Sequence, residues 1–250
     1  MTNSKWRVWI VQIVIVVAFL AFWEIGSRIG FINSFIFSSP SKIVGTIVTL
    51  FKNGELLGHM WVTLQEIISA FSLGIGIAFV VSVMMYLSPF FARVIDPFLT
   101  VLNSLPKVAL GPIIIIWVGA NANAIITMSL LINVIVSIIT IYNGFAHTDP
   151  LKIKLFRSFG ATKWQILYKL VIPANLSTIV SALKINISMT LIGVIMGEFL
   201  VSKRGIGYLI INGTQLFNLN LVLTGIVVLV FISFVLYELI RIIEKRLLLE

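Results

Sequence analysis

Long apolar runs separated by short polar or basic stretches recur along this 250-residue chain. They lie at about Trp9–Ile25, Leu64–Leu87, Phe98–Val118, Ala124–Phe145, Leu176–Leu200 and Leu219–Ile240. Each approaches the roughly 20 residues an apolar helix needs to cross a bilayer. The pattern predicts an all-α polytopic membrane protein with six transmembrane helices. Lys5 and Arg7 precede the first run, as they would in a signal peptide, but Phe22-Trp23-Glu24 follows it in place of small residues. It is read as an uncleaved anchor. Ser39-Pro40 is a helix start and Asn53-Gly54 a stop. The apolar residues between them are too few to span and predict an interfacial or lipid-shielding helix. No internal repeat, low-complexity tract or soluble domain interrupts the pattern, so residues 1–250 read as one membrane domain.

Composition supports this class. The chain is 59% hydrophobic and 11% charged, with a mean hydropathy of +1.11, outside the range of ordinary soluble domains. Zero cysteines exclude a disulfide framework and a cysteine-based metal site. The net charge of +9 fits the basic bias of cytoplasmic loops better than nucleic-acid binding. With the N-terminus inside, the inner segments hold Lys5, Arg7, Arg93, Lys152, Lys154, Arg157, Lys163, Lys169, Arg241, Lys245 and Arg246. The outer segments hold Arg28, Lys42, Lys52, Lys203 and Arg204. This bias of 11 to 5 places both termini in the cytoplasm.

One inner segment is unlike the rest. Asp149–Pro173 is basic and amphipathic, with Gly160 at its middle. Asp149 N-caps a helix with Pro150 at its first position. Gly160 suits the left-handed residue that ends such a helix. Thr162 and Gln165 form a capping box for a second helix, and Pro173 marks its end or the entry to the next. The second helix presents Trp164, Leu167 and Tyr168 as an apolar face between Lys163 and Lys169. A water-facing loop with so many large apolar groups implies a partner that covers them.

Catalytic signatures are missing. The chain has no phosphate-binding GxxxxGK[ST], no HExxH and no GxSxG, and its two histidines, His59 and His147, have no carboxylate cluster beside them. No catalytic, cofactor or metal site is expected, which leaves transport or a scaffold. The third run contains Asn103-Ser104-Leu105-Pro106-Lys107 and then Gly111-Pro112. Proline removes a backbone donor and crowds the preceding turn. A break of this kind in lipid is tolerated where it is buried or lines a cavity. Asn103, Pro106 and Pro112 are therefore candidate pathway residues, with a static packed kink as the alternative. Asn186 and Thr190 share a helix face, as pathway groups or as interhelical hydrogen bonds. Glu198 is placed at the outer mouth or in a pair with Lys203 or Arg204. Lys184 is expected to snorkel. Glu24, Glu66 and Asp96 are expected in solvated or lipid-headgroup positions near span ends, and Gly74 and Gly76 at close helix contacts.

The spacing from Gly160 to Leu170-Val171-Ile172-Pro173 resembles the EAA loop, the coupling segment of ABC importer permeases, although Lys154-Leu155-Phe156 stands at the Glu-Ala-Ala positions. Other segments resemble the nitrate/sulfonate/taurine branch of that family, in consistent order from about residue 9 to 246. They include Ser39-Pro40-Ser41-Lys42, Ile95-Asp96-Pro97, Trp117-Val118-Gly119, Phe159–Trp164, Gly197-Glu198 and Gly205–Leu209. The resemblance implies a type I (MetI-like) importer permease in a prokaryotic cell membrane. It further implies a homodimer working with two cytoplasmic ATPase subunits and an extracytoplasmic solute-binding protein. Coupling would pass through Gly160, Ala161, Thr162, Lys163, Trp164, Leu167, Tyr168 and Pro173. The solute would be a sulfonate-, taurine- or nitrate-like anion or a vitamin-precursor heterocycle. The membrane coupling subunit of a vitamin-uptake system and an ion-coupled carrier remain as alternatives. The latter should carry mid-span carboxylates or histidines.

Overall fold

A computed structural model describes residues 2–248, with side chains over 6–247; the Lys5 side chain of the basic count lies outside them. The chain is helical in each of the six apolar regions. α1 (Thr2–Arg28) is followed by the short α2 (Ser34–Phe37) and by α3 (Pro40–Lys52). α3 begins where Ser39 accepts a hydrogen bond from the Lys42 amide, with Pro40 in the first turn. It ends before Gly54, whose φ is +73°. Ile43 and Leu50 face inward and Val44, Val48 and Phe51 outward, as a shielding helix requires. α1 is exposed on all sides from Trp6 to Phe22. It is tied to the rest at its C-terminal end, where Glu24 accepts from the Ser41 amide (3.0 Å) and Ser27 Oγ donates to the Ser38 carbonyl (3.3 Å).

Three long helices form the centre: α4 (Glu55–Leu87), α7 (Ala122–Ala146) and α11 (Leu176–Val201). Apolar burial gives little drive between helices in lipid, so close approach and interhelical hydrogen bonds decide their contacts. Both occur here. A Cβ on Gly74 would meet the Asn133 side chain, one on Gly193 the Ser129 backbone, and one on Gly197 Ile125 Cα at 2.9 Å. Gly76 has open space around it, so of the two glycines picked out in α4 only Gly74 marks a contact.

The direction of the helices follows from their ends. Tyr86 near the end of α4 and Phe145 near the end of α7 meet edge to face, with ring centroids 6.1 Å apart. Lys163 Nζ reaches the Leu87 carbonyl (3.5 Å), and Asn175, just before α11, donates to Thr148 Oγ1 (2.8 Å). The C-termini of α4 and α7 and the start of α11 therefore share one end, the loop end. At the opposite end, Thr63 of α4 meets Glu198 of α11 (2.6 Å). Residues 88–121 must then cross the full thickness. They do so as α5 (Pro89–Ser104), a 3₁₀ turn at Lys107–Leu110 and α6 (Gly111–Val118), bent by 88° at Leu105-Pro106. Counting the bent pair as one crossing makes six. α5 starts earlier than the expected span, because Ser88 caps it and Pro89 occupies its first turn.

α12 (Ile206–Gln215), which hydropathy alone did not predict, folds back at the opposite end before α13 (Leu219–Leu248) returns to the loop end. There Glu244 of α13 pairs with Lys184 at 2.7 Å. Lys184 thus does not snorkel freely; the carboxylate facing it on α13 compensates its charge.

Candidate functional site

The loop between α7 and α11 is built from local capping. Asp149 accepts from the Leu151 amide (2.8 Å) and starts α8 (Pro150–Ser158). Gly160 ends it at φ +75°, its amide bonded to the Arg157 carbonyl (2.9 Å). Two residues on, the Thr162 amide donates to Gln165 Oε1 (2.7 Å) and Thr162 Oγ1 accepts from the Gln165 amide (3.3 Å), the predicted capping box. α9 (Lys163–Ile166), a π turn over Leu167–Val171 and α10 (Ile172–Ala174) then run on as one widened helix into α11. Ala161, between Gly160 and the cap, is partly buried against the end of the α4–α7 pair. Pro173, which has no amide to donate, follows the widened turn.

This scaffold splits the predicted apolar face. Trp164 and Tyr168 are 64% and 75% exposed, and Phe159, just after α8, is exposed as well. Leu167 is 2% exposed and packs with Ile166 and Val171 under the loop. Its place in the exposed apolar face is corrected: it belongs to the inward stripe 166, 167, 170 and 171 that packs on the core, while Trp164 and Tyr168 share the outward stripe. Lys152, Lys154, Arg157, Lys163 and Lys169 are all exposed, and none joins an ion pair among the described residues. Beside the face, Tyr86, Leu87, Pro89, Ile153, Arg157, Lys163 and Ile166 line a cleft of about 230 Å³.

The opposite end carries a polar junction that sequence reasoning dispersed. Glu198 is 0% exposed. Its Oε1 accepts from Thr63 Oγ1 (2.6 Å) and its Oε2 from the Gly207 amide. Thr63 Oγ1 in turn accepts from the Ile206 amide (2.8 Å), and His59 Nδ1 from the Gly205 amide (3.0 Å). His59 stacks on Tyr208 with ring centroids 5.9 Å apart. Glu198 therefore neither lines an open mouth nor pairs with Lys203 or Arg204. Glu66, expected in a solvated or lipid-headgroup position, is 5% exposed. The reason is that α4 begins at Glu55, nine residues before the apolar run, which moves Glu66 well inside the helix.

Asn186 and Thr190 are also wholly buried. Asn186 donates to Ser137 Oγ (2.8 Å), and Thr190 Oγ1 accepts from Asn133 Nδ2 (2.7 Å) and donates to Asn186 Oδ1 (3.2 Å). The interhelical alternative describes them, because each polar side chain finds its partner across the α7–α11 seam. The other pathway candidates sit differently. Asn103, Pro106 and Pro112 are exposed along the bent helix pair, and Asn103 Oδ1 accepts from Lys107 Nζ (3.1 Å). Sequence reading gave no contact role to Thr63, Gly193 or Gly197. A Gly-x-x-x-Gly search of the fifth run would have found the two glycines; Thr63 carries no such signal.

The fold and the capped loop meet their family in sequence comparison. A family of binding-protein-dependent transport system inner membrane components matches residues 70–249. The chain belongs to this family. The permease is 24% identical over 96% of its length to the putative aliphatic sulfonates transport permease SsuC of Bacillus subtilis, covering 87% of that protein. It is 30% identical over 90% of its length to a probable ABC transporter permease of Haemophilus influenzae, covering 91% of it. It is 28% identical over 76% of its length to the formylaminopyrimidine transport permease ThiX of Halalkalibacterium halodurans, covering 75% of it. In fold, 77% of the permease superposes on 95% of a chain of the MetNI methionine ABC transporter, solved in inward-facing conformations, with a TM-score of 0.68 at 20% identity. The chain is thus a multi-pass membrane permease subunit of ABC importer type, with the MetI-like fold.

Proposed function

We propose that the permease forms, as a homodimer, the translocation pathway of an ATP-driven importer, with its loop end in the cytoplasm of a prokaryotic cell. Two ATPase subunits drive it through the loop at 149–173, and an extracytoplasmic solute-binding protein delivers solute to the opposite end. The observation that carries this reading is the exposed Phe159, Trp164 and Tyr168 on a capped turn, in a loop whose five basic groups are exposed and join no ion pair among the described residues. An apolar helix face of this kind fits a hydrophobic groove, and the surrounding cations favour an acidic rim. The exposed face with Asn103, Pro106 and Pro112 is the proposed pathway lining, since a bent, proline-broken helix supplies backbone carbonyls to a cavity. The solute class is a small organic anion or a vitamin-precursor heterocycle, supported by relatives named for sulfonate and formylaminopyrimidine transport.

The test is recovery of the ATPase with affinity-purified permease. Trp164→Ala removes a central anchor, and such anchors are worth about 2 kcal/mol or more, so recovery should fall by more than tenfold at matched permease levels. Unchanged recovery and unchanged solute-stimulated hydrolysis would move the contact elsewhere.

A further inference from the structure

The crossing made by residues 88–121 carries a row of polar side chains that no other described residue covers. Along α5, Arg93, Asp96, Thr100 and Asn103 recur at steps of three, four and three residues, which places them on one helix face. All four are exposed. Ala92, Ile95 and Leu99 turn a neighbouring face to the core. Phe90, Val94, Phe98 and Val101 form a third face, exposed and apolar. α5 thus keeps its polar groups apart from the apolar surface it presents. The row continues across the 88° bend to Lys107, whose Nζ donates to Asn103 Oδ1 (3.1 Å). That bond leaves Asn103 Nδ2 without a partner among the described residues, and Lys107 joins no ion pair among them. α6 and α7, which pack on the Lys107 turn, contain no charged side chain. Asp96 lies about three turns away along α5, with Arg93 one turn from it. Gly111, one turn beyond Lys107, packs on Met128 and Leu200 of spanning helices, so the turn lies inside the crossing. Polar side chains in a row and an ammonium without a counter-charge are disfavoured against lipid tails, and belong where water enters.

We infer that Arg93, Asp96, Thr100 and Asn103 form a water-facing wall of the pathway, and that Lys107 is the group on it that receives the anionic end of the solute, a sulfonate or another oxyanion. The inference rests on the reading of this chain as a pathway-forming permease and narrows its solute to the anionic class. Lys107 opens the 3₁₀ turn after Pro106, so it stands at the break between the two halves of the crossing. An ammonium beside a free amide NH₂ supplies charge-assisted donors of the kind an oxyanion accepts. An uncharged heterocycle would leave that ammonium without a counter-charge.

The chain contains no cysteine, so single-cysteine variants of the full-length permease report accessibility without background. The probe is sulfonatoethyl methanethiosulfonate, itself a small sulfonate, applied to permeabilised native membrane vesicles. Thr100→Cys and Asn103→Cys should react roughly tenfold faster or more than Phe98→Cys and Val101→Cys, because a thiol in apolar surroundings resists ionisation. Labelling of the polar row as slow as that of the apolar face overturns the wall. The trimethylammonium counterpart of the reagent then reads the charge preference, as a ratio in which any effect of Lys107 on the thiol itself cancels. At Asn103→Cys the preference for the sulfonate should fall roughly tenfold on Lys107→Gln and return to within about twofold with Lys107→Arg. A ratio unchanged by Lys107→Gln overturns the anion assignment. Protection of Asn103→Cys by added short-chain phosphatidylglycerol would give Lys107 to a lipid phosphate and overturn it too. Should Lys107→Gln fail to reach the membrane, the preference must still be larger at Asn103→Cys than at Arg93→Cys, which stands beside Asp96, and equal preferences have the same consequence. Neither rate needs the ATPase, so the outcome is separate from that of the Trp164→Ala recovery.

Discussion

Gly160 shows how much one residue carries. At φ +75° it holds a backbone conformation that costs an L residue roughly 1 kcal/mol. The space around it is open, with no atom within 4 Å of where a Cβ would stand. A substitution there therefore acts through the backbone and not through a clash. Gly160→Val should rotate the second loop helix and carry Trp164 and Tyr168 away from their partner. The expected outcome is a folded permease whose ATPase no longer responds to solute. Measured as solute-stimulated over basal hydrolysis in proteoliposomes, the ratio should fall toward one, while the asparagine variant, which tolerates left-handed backbone, should retain most of the response. The capping signals around Gly160 were legible in the sequence because they act over three or four residues. Leu167 was not: its direction depends on what lies beneath the loop, and the ends of α4 and α7 decide that.

At the scale of elements, the α4–α7–α11 trio is held by small residues and shared polar groups in place of bulk. Gly193 is the most exacting of these positions. A side chain there meets the Ser129 backbone, which cannot rotate away as a flexible side chain can. Gly193→Val should push α7 and α11 apart, strain the Asn186–Ser137 and Thr190–Asn133 bonds and cost about 2 kcal/mol or more. A thermal-unfolding scan in detergent should show a clear fall in Tm for Gly193→Val, and little change for the matching substitution at Gly76, which faces open space. The hydropathy of these helices announced that they cross the bilayer. It was silent on which face meets which neighbour, because a helix apolar all round has no stripe to read.

For the whole molecule, the shared loop end fixes the relation of the parts. The end of α4, the end of α7, the start of α11 and the Glu244 turn of α13 lie together there. The basic bias is the ground for the proposal that this end faces the cytoplasm. Reporter fusions after Gly30 and Asn212 should report outside, and one after Thr148 inside. A cytoplasmic signal from Asn212 would contradict both the bias and the crossing by α5 and α6.

Period and length are properties of the chain in order, and so the six apolar regions and the capped loop could be read from the sequence alone, although α4 and α5 each begin nine residues before the expected span. The 88° bend was foreshadowed by Pro106 and Pro112, although its angle was not. Contacts between residues far apart in the chain needed the tertiary structure. Thr63 and Glu198 looked like separate groups near two span ends, and became one buried pair only when α4 and α11 met. Asn186 and Thr190 could face a pathway or a neighbour until Ser137 and Asn133 were seen opposite them. A polar group in lipid must find a partner, but the sequence does not say on which helix that partner lies.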